Sequence, residues 1–259
     1  MIMKATQSIA LILLSALSLS GQTAADPAPP KKEEINVWSS SVGLRFSYNQ
    51  INTLIGDSES PNRQSLMHAM LTWDFDVSDY LTIGLMGGYA LTRMKDPVDF
   101  TTLPLSLRIN QEQYAGLVFG ISLKSDFTSF GDFTARIQGE FLYLLRDSQE
   151  WPIELPIETG TAQVSQNGFL ATADLILQFD GLSGIMPFAG IRGNVASGQF
   201  FASETIEELT GQEKINWKQK SLFGPLAGAT FEIGSSVEIT LTASLLARFG
   251  ADLQIRYLF

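Results

Sequence analysis

From Val37 onward, apolar residues alternate with polar or small ones at a period of two, in segment after segment, with turn residues between the segments. That is the pattern of half-buried β-strands. It predicts ten of them: Val42 to Tyr48, Ala69 to Phe75, Leu81 to Leu91, Leu117 to Leu123, Phe133 to Leu145, Phe169 to Phe179, Ile185 to Val195, Phe223 to Ile233, Val237 to Leu245 and Ala251 to Phe259. The connections alternate in length. Short turns are expected at 77–79, 125–131, 180–184 and 234–236, and long polar loops at 49–64, 93–111, 146–160 and 197–216, with one further tight hairpin at 248–250. An even strand count with short turns at one end and long loops at the other fits an all-β, antiparallel, up-and-down transmembrane β-barrel of about ten strands.

Alternation alone does not say which face meets a core, since a soluble carrier barrel has the same period. The second face decides. It carries Gly84, Gly88, Gly116, Gly120, Gly190, Gly224 and Gly228 with Ser and Thr between them, and no Lys is expected in it. A solvated exterior would be rich in Lys and Glu, whereas a narrow lumen needs small residues. The bulky residues, Leu85, Leu177 and Leu241 among them, are therefore expected to point outward into hydrocarbon. The inward face also carries Arg45, Arg136, Arg192 and Arg256 against Asp74, Glu140, Asp174, Glu232, Glu238 and Asp252. Charges held away from bulk water need partners, so an Arg–carboxylate network that fills the lumen is expected. Met86, Leu142, Leu144, Ile176, Met186, Phe188 and Leu226 add bulk to the same face.

Aromatic residues cluster at the segment ends. Trp38, Phe75, Tyr80, Phe127, Phe130, Phe179, Phe231 and Phe259 lie near the short turns, and Tyr48, Tyr89, Tyr143, Phe169 and Phe223 near the long loops. Two girdles at membrane interfaces would place them so.

Ahead of the barrel, Lys4, the apolar run Ile9 to Leu19 and Thr23-Ala24-Ala25 read as an export signal over residues 1–25, with cleavage expected after Ala25. Residues 26–35, rich in Pro and charge, read as a periplasmic tether, and 36–259 as the barrel. The sequence has no cysteine, which removes disulfides and thiolate metal sites. Its formal net charge of -10 argues against nucleic acid or an anionic surface as partner, since phosphate binding needs clustered Lys and Arg.

The final run Leu253-Gln254-Ile255-Arg256-Tyr257-Leu258-Phe259 resembles the terminal strand of bacterial outer-membrane β-barrel proteins. The resemblance implies that Phe259, Tyr257, Ile255 and Leu253 are read by the outer-membrane insertion machinery. It also implies a Gram-negative outer membrane, with lipid and lipopolysaccharide as surroundings.

His68 is the one histidine, on the lumen-facing register near the long-loop end. Outer-membrane acyl hydrolases have a Ser two residues after such a His, but Met70 stands there; Ser65 is near without the pattern. A protease-like rim site would pair His68 with Asp57, Glu59 or Asp147. A hydrogen-bonding role is expected instead. Loop acids Glu150, Glu154, Glu158, Glu204, Glu207, Glu208 and Glu213 lack calcium-site spacing and are expected to be solvated, and Thr205 with Glu208 offers a weak helix cap. The expectation is a monomeric barrel with a structural or surface-interaction role, no enzyme activity and no cofactor. The alternatives are a narrow passive channel for ions or small solutes, a rim hydrolase using His68, and a soluble periplasmic carrier.

Overall fold

The computed structural model describes residues 39–56, 61–105, 107–109, 113–146, 148–154, 159–220, 223–245 and 249–259. The expected signal, the tether and Trp38 lie outside the described residues. Fourteen strands follow one another: β1 (Ser40–Ile55), β2 (Asn62–Ser78), β3 (Leu81–Met94), β4 (Val98–Phe100), β5 (Leu107–Ile109), β6 (Gln113–Phe130), β7 (Phe133–Arg146), β8 (Gln149–Glu154), β9 (Thr159–Phe179), β10 (Ile185–Ile206), β11 (Leu209–Gln219), β12 (Phe223–Ile233), β13 (Val237–Leu245) and β14 (Phe249–Leu258).

Ten of these, β1, β2, β3, β6, β7, β9, β10, β12, β13 and β14, pair antiparallel with their neighbours in chain order. The ring closes where β14 pairs with β1, from Asn49 opposite Gly250 to Ser41 opposite Leu258. The fold is an up-and-down β-barrel. The two ends of the barrel chain meet at the turn end, where Ser40 and Phe259 exchange backbone hydrogen bonds of 3.3 and 3.1 Å. The turns there are short, and Gly131 and Gly234 sit at φ 59° and 67°, which a residue with a Cβ adopts only under strain.

The period-two pattern sends bulky side chains outward along the wall. Leu85 is 50% exposed, Leu177 43% and Leu241 47%. On β3 the outward apolar stretch runs from Leu81 to Leu91, the eleven residues that a tilted strand needs to cross hydrocarbon.

At the opposite end three of the four stretches expected as polar loops are largely strand, and the fourth, 93–111, carries the short strands β4 and β5. β1 runs to Ile55 and β2 starts at Asn62; β8 extends the line of β7 along β9, and β10 continues to Ile206 in a hairpin with β11. The physical reason is a change of phase. Beyond the wall the apolar residues face inward and the polar ones outward, so Ile51, Leu66, Met94, Tyr114, Val164, Phe200, Ala202 and Trp217 join one buried cluster. The alternation persists, but its hydrophobic partner becomes the protein itself. The two-residue turn at Glu207-Glu208, with Glu207 at φ 50°, replaces the helix cap expected at Thr205.

Here β13 and β14 have already ended, and β11 pairs directly with β1, Thr53 opposite Gln219 and Ile55 opposite Trp217. The small β4–β5 hairpin and the residues around it cross the mouth from β3 and β6 toward β10 and β11. Val98, Phe100 and Leu103 are buried beneath it. Its far side is held by two carboxylates, Glu213 accepting from the Thr102 N–H and Glu204 from the Leu105 N–H, each at 2.8 Å.

Candidate functional site

The inward face of the turn-end half is polar, and ion pairs bridge it from strand to strand. Arg45 on β1 donates to Glu140 on β7 at 2.6 Å and to Asp252 on β14 at 3.3 Å. The other oxygen of Asp252 accepts from Arg192 on β10 at 3.0 Å, and Arg192 also grips Asp174 on β9 with two hydrogen bonds of 2.9 and 2.8 Å. Ser47 donates to Asp252 as well. The run Glu140–Arg45–Asp252–Arg192–Asp174 therefore ties five strands together across the interior. All five side chains are buried.

Nearer the turns, Asp74 accepts from Lys124 at 2.9 Å and from Arg256 at 3.5 Å, and Arg256 also donates to Glu238. Gly84 leaves the room for this cluster, because a Cβ there would collide with the Asp74 carboxylate and the Ser122 hydroxyl. Arg136 donates to Asp126 and, at 3.2 Å, to Gln178. An isolated charge in this setting would be strongly destabilising, and each guanidinium is instead matched to a carboxylate in a geometry that supports two or more bonds.

Of the ten charged residues expected in the lumen, nine take part in these clusters. Glu232 does not. It is exposed, one residue before the end of β12, and its register partner is another acid, Glu238. The expectation of an inward face without lysine is corrected by Lys124. A bulge between Asp126 and Thr128 lets β6 run on to Phe130, through residues expected to form a turn. Lys124 and Asp126 lie ahead of that bulge, in step with Gly120 and Ser122, and enter the lumen because β6 continues past Leu123, where the expected strand ends.

His68 also faces inward, between Ser47 on β1 and Ala90 on β3, and is 4% exposed. Among the described residues neither ring nitrogen has a hydrogen-bond partner. Ser65 stands on the opposite face of the same strand, its hydroxyl toward the Arg93 carbonyl, so it does not converge with His68. Asp57, Glu59 and Asp147 lie outside the described residues. Two acids expected to be solvated are not: Glu204 is 2% exposed, and Glu213 is half-buried. No group of three or more metal-ligating side chains stands together among the described residues.

The cavity between the ion pairs has a volume of about 60 Å³. That accommodates a few water molecules. On the outside, Tyr257 and Phe259 project from the last strand with their rings 6.3 Å apart, and Leu253 and Ile255 share that face. Rings also meet at both ends of the wall, Phe133 with Phe179 at 5.1 Å near the turns and Phe119 with Tyr143 at 5.5 Å nearer the hairpins.

No family model and no curated protein matches the sequence. Among solved structures, the chain is similar to the outer membrane protein AlkL in lipid bilayers, at 11% identity over 91% of this chain and 96% of that one, with a TM-score of 0.42. It is similar to the outer membrane protease OmpT from Escherichia coli, at 6% identity over 93% of this chain and 100% of that one, with a TM-score of 0.44. An outer membrane channel from Pseudomonas putida F1 matches at 10% identity over 90% of this chain and 100% of that one, with a TM-score of 0.37. The solved structures that the chain resembles are those of bacterial outer-membrane β-barrels.

Proposed function

We propose that the chain is an integral outer-membrane β-barrel with a closed interior, a structural or surface-interaction module and not a pore. The carrying observation is the inside of the ring. Its turn-end half is filled by cross-strand ion pairs and its hairpin-end half by an apolar cluster under the β4–β5 hairpin. The outward apolar wall supports the membrane placement: its bulky side chains are exposed, and burying such area in lipid is worth about 25 cal/mol per Å². Short turns at the end where β1 begins and β14 ends support a periplasmic turn end and an extracellular hairpin end.

On this reading the barrel works as a monomer, and Leu253, Ile255, Tyr257 and Phe259 serve the insertion machinery. Purified protein in a planar bilayer tests the central claim. The expected record is flat, and steady unitary openings would favour a narrow passive channel instead.

A further inference from the structure

The outer surface carries two features that the filled interior does not explain, and they lie side by side. The first is an apolar groove of about 690 Å³ on the outer surface of β12, β13, β14, β1, β2 and β3. Its floor is alanine, Ala69, Ala227, Ala229, Ala243 and Ala251, and aromatic rings such as Phe46, Tyr48 and Tyr89 stand beside it. Six strands make it ~24 Å wide, several acyl chains across.

The second feature lies toward the hairpin end, on β2, β3 and the residue after it, and on the end of β11, which pairs with β1 there. Strand pairing sets Lys220, Asn52, Arg63 and Lys95 in one outward row: the Lys220 N–H donates to the Asn52 carbonyl at 2.9 Å, Asn52 is opposite Arg63, and the Lys95 N–H donates to the Arg63 carbonyl at 2.8 Å. Arg93 occupies the next row toward the groove, beside Ser65. Lys218 faces out opposite Leu54. All five cations are exposed, and among the described residues none forms an ion pair. Asp96, next in the chain, turns its carboxylate to the Arg63 backbone N–H at 3.4 Å. Inside the barrel every arginine is matched; on this face, in a chain of net charge -10, five cations are left for an outside partner.

The spacing fits a lipid with an anionic headgroup. Arg63 and Met67, at the groove edge, are four residues apart on β2, or ~13 Å along the strand. Resting on the placement proposed above, we infer that this face binds an acylated phosphoglycolipid of the lipid A class, its acyl chains on the alanine floor and its phosphates on Arg63, Arg93, Lys95 and Lys220. Guanidinium groups take phosphate bidentately and the lysines add charge. A zwitterionic phospholipid would bring an ammonium group into the same row, where the cations repel it.

The full chain, folded in detergent, tests this by native mass spectrometry with three probes: hexa-acylated diphosphoryl lipid A, phosphatidylethanolamine and inorganic phosphate. Lipid A is expected to be retained at least tenfold over phosphatidylethanolamine and not to be displaced by equimolar phosphate. The triple variant Arg63→Gln, Arg93→Gln, Lys95→Gln should lose at least tenfold of that retention while keeping the heat-modifiable gel mobility of a folded barrel. Ala243→Phe, which fills the floor and leaves the cations, should lose it as well. A folded triple variant that holds lipid A like the parent, or equal retention of both lipids, overturns the inference alone. A chain that folds and stays soluble without any amphiphile overturns the membrane placement instead.

Discussion

Asp252 is the residue on which the interior turns, because it is shared by Arg45 and Arg192 and, among the described residues, no other carboxylate touches both. Asp252→Asn keeps the shape and removes the charge, leaving two buried guanidinium groups short of a partner. Removal of one partner from a buried cluster costs about 3–5 kcal/mol, so the urea midpoint in detergent should fall well below that of the parent. Glu238→Gln should cost less, since both side chains of that pair are partly exposed. His68 presents the opposite case. Its ring nitrogens are buried and unbonded among the described residues, so His68→Leu removes an unmet polar demand and should leave the midpoint unchanged or raise it. A clear fall would point to a partner or a task for the imidazole. Most of the charge network was legible from residue type and period, because an inward Arg has nowhere to go but to an inward acid. Lys124 and Asp126 keep the inward parity of Gly120 and Ser122, and they were hidden because the apolar alternation stops at Leu123 and the polar run 125–131 reads as a turn. Glu232 was misread because its place in the period is right and its depth is wrong.

At the scale of elements, the lid formed around β4 and β5 depends on two backbone N–H groups anchored to carboxylates on the far side of the mouth. A hydrogen bond to a charged group contributes about 1.5–3 kcal/mol. Glu204→Ala is therefore expected to speed amide exchange at Leu105 by about tenfold or more, with little change along β3 and β6. Equal exchange in both proteins would mean that the apolar contacts of Phe100 and Leu103 hold the lid alone. The ten wall strands were legible because lipid demands strict alternation. The extensions β8 and β11 and the hairpin β4–β5 were not. Around Phe200, Ala202 and Ile206 the inward residues become the apolar ones and the outward residues Gln199, Ser203 and Thr205 become polar, and a reader following the wall's phase sees only a polar loop.

For the whole molecule, the two phases define two solvents, hydrocarbon around the wall and water around the hairpin end, and the boundary should be measurable residue by residue. Leu85 stands near the middle of the outward apolar stretch of β3, and Leu209 stands at the tip of the β10–β11 hairpin. They are about equally exposed, 50% and 62%, so a protein surrounded by water alone would treat a charge at either place alike. A barrel in a bilayer would not. Arginine on the lipid face costs about 2–4 kcal/mol at the midplane and little near or beyond the interface. Leu85→Arg should lower folding stability in liposomes by that order, and Leu209→Arg should leave it nearly unchanged. Leu91→Arg, next to Arg93 at the hairpin-side edge of the stretch, should fall between the two. The ordering, more than any single value, is decisive, because Leu91, at 40%, is the least exposed of the three, so exposure alone would make it and not Leu85 the most sensitive site.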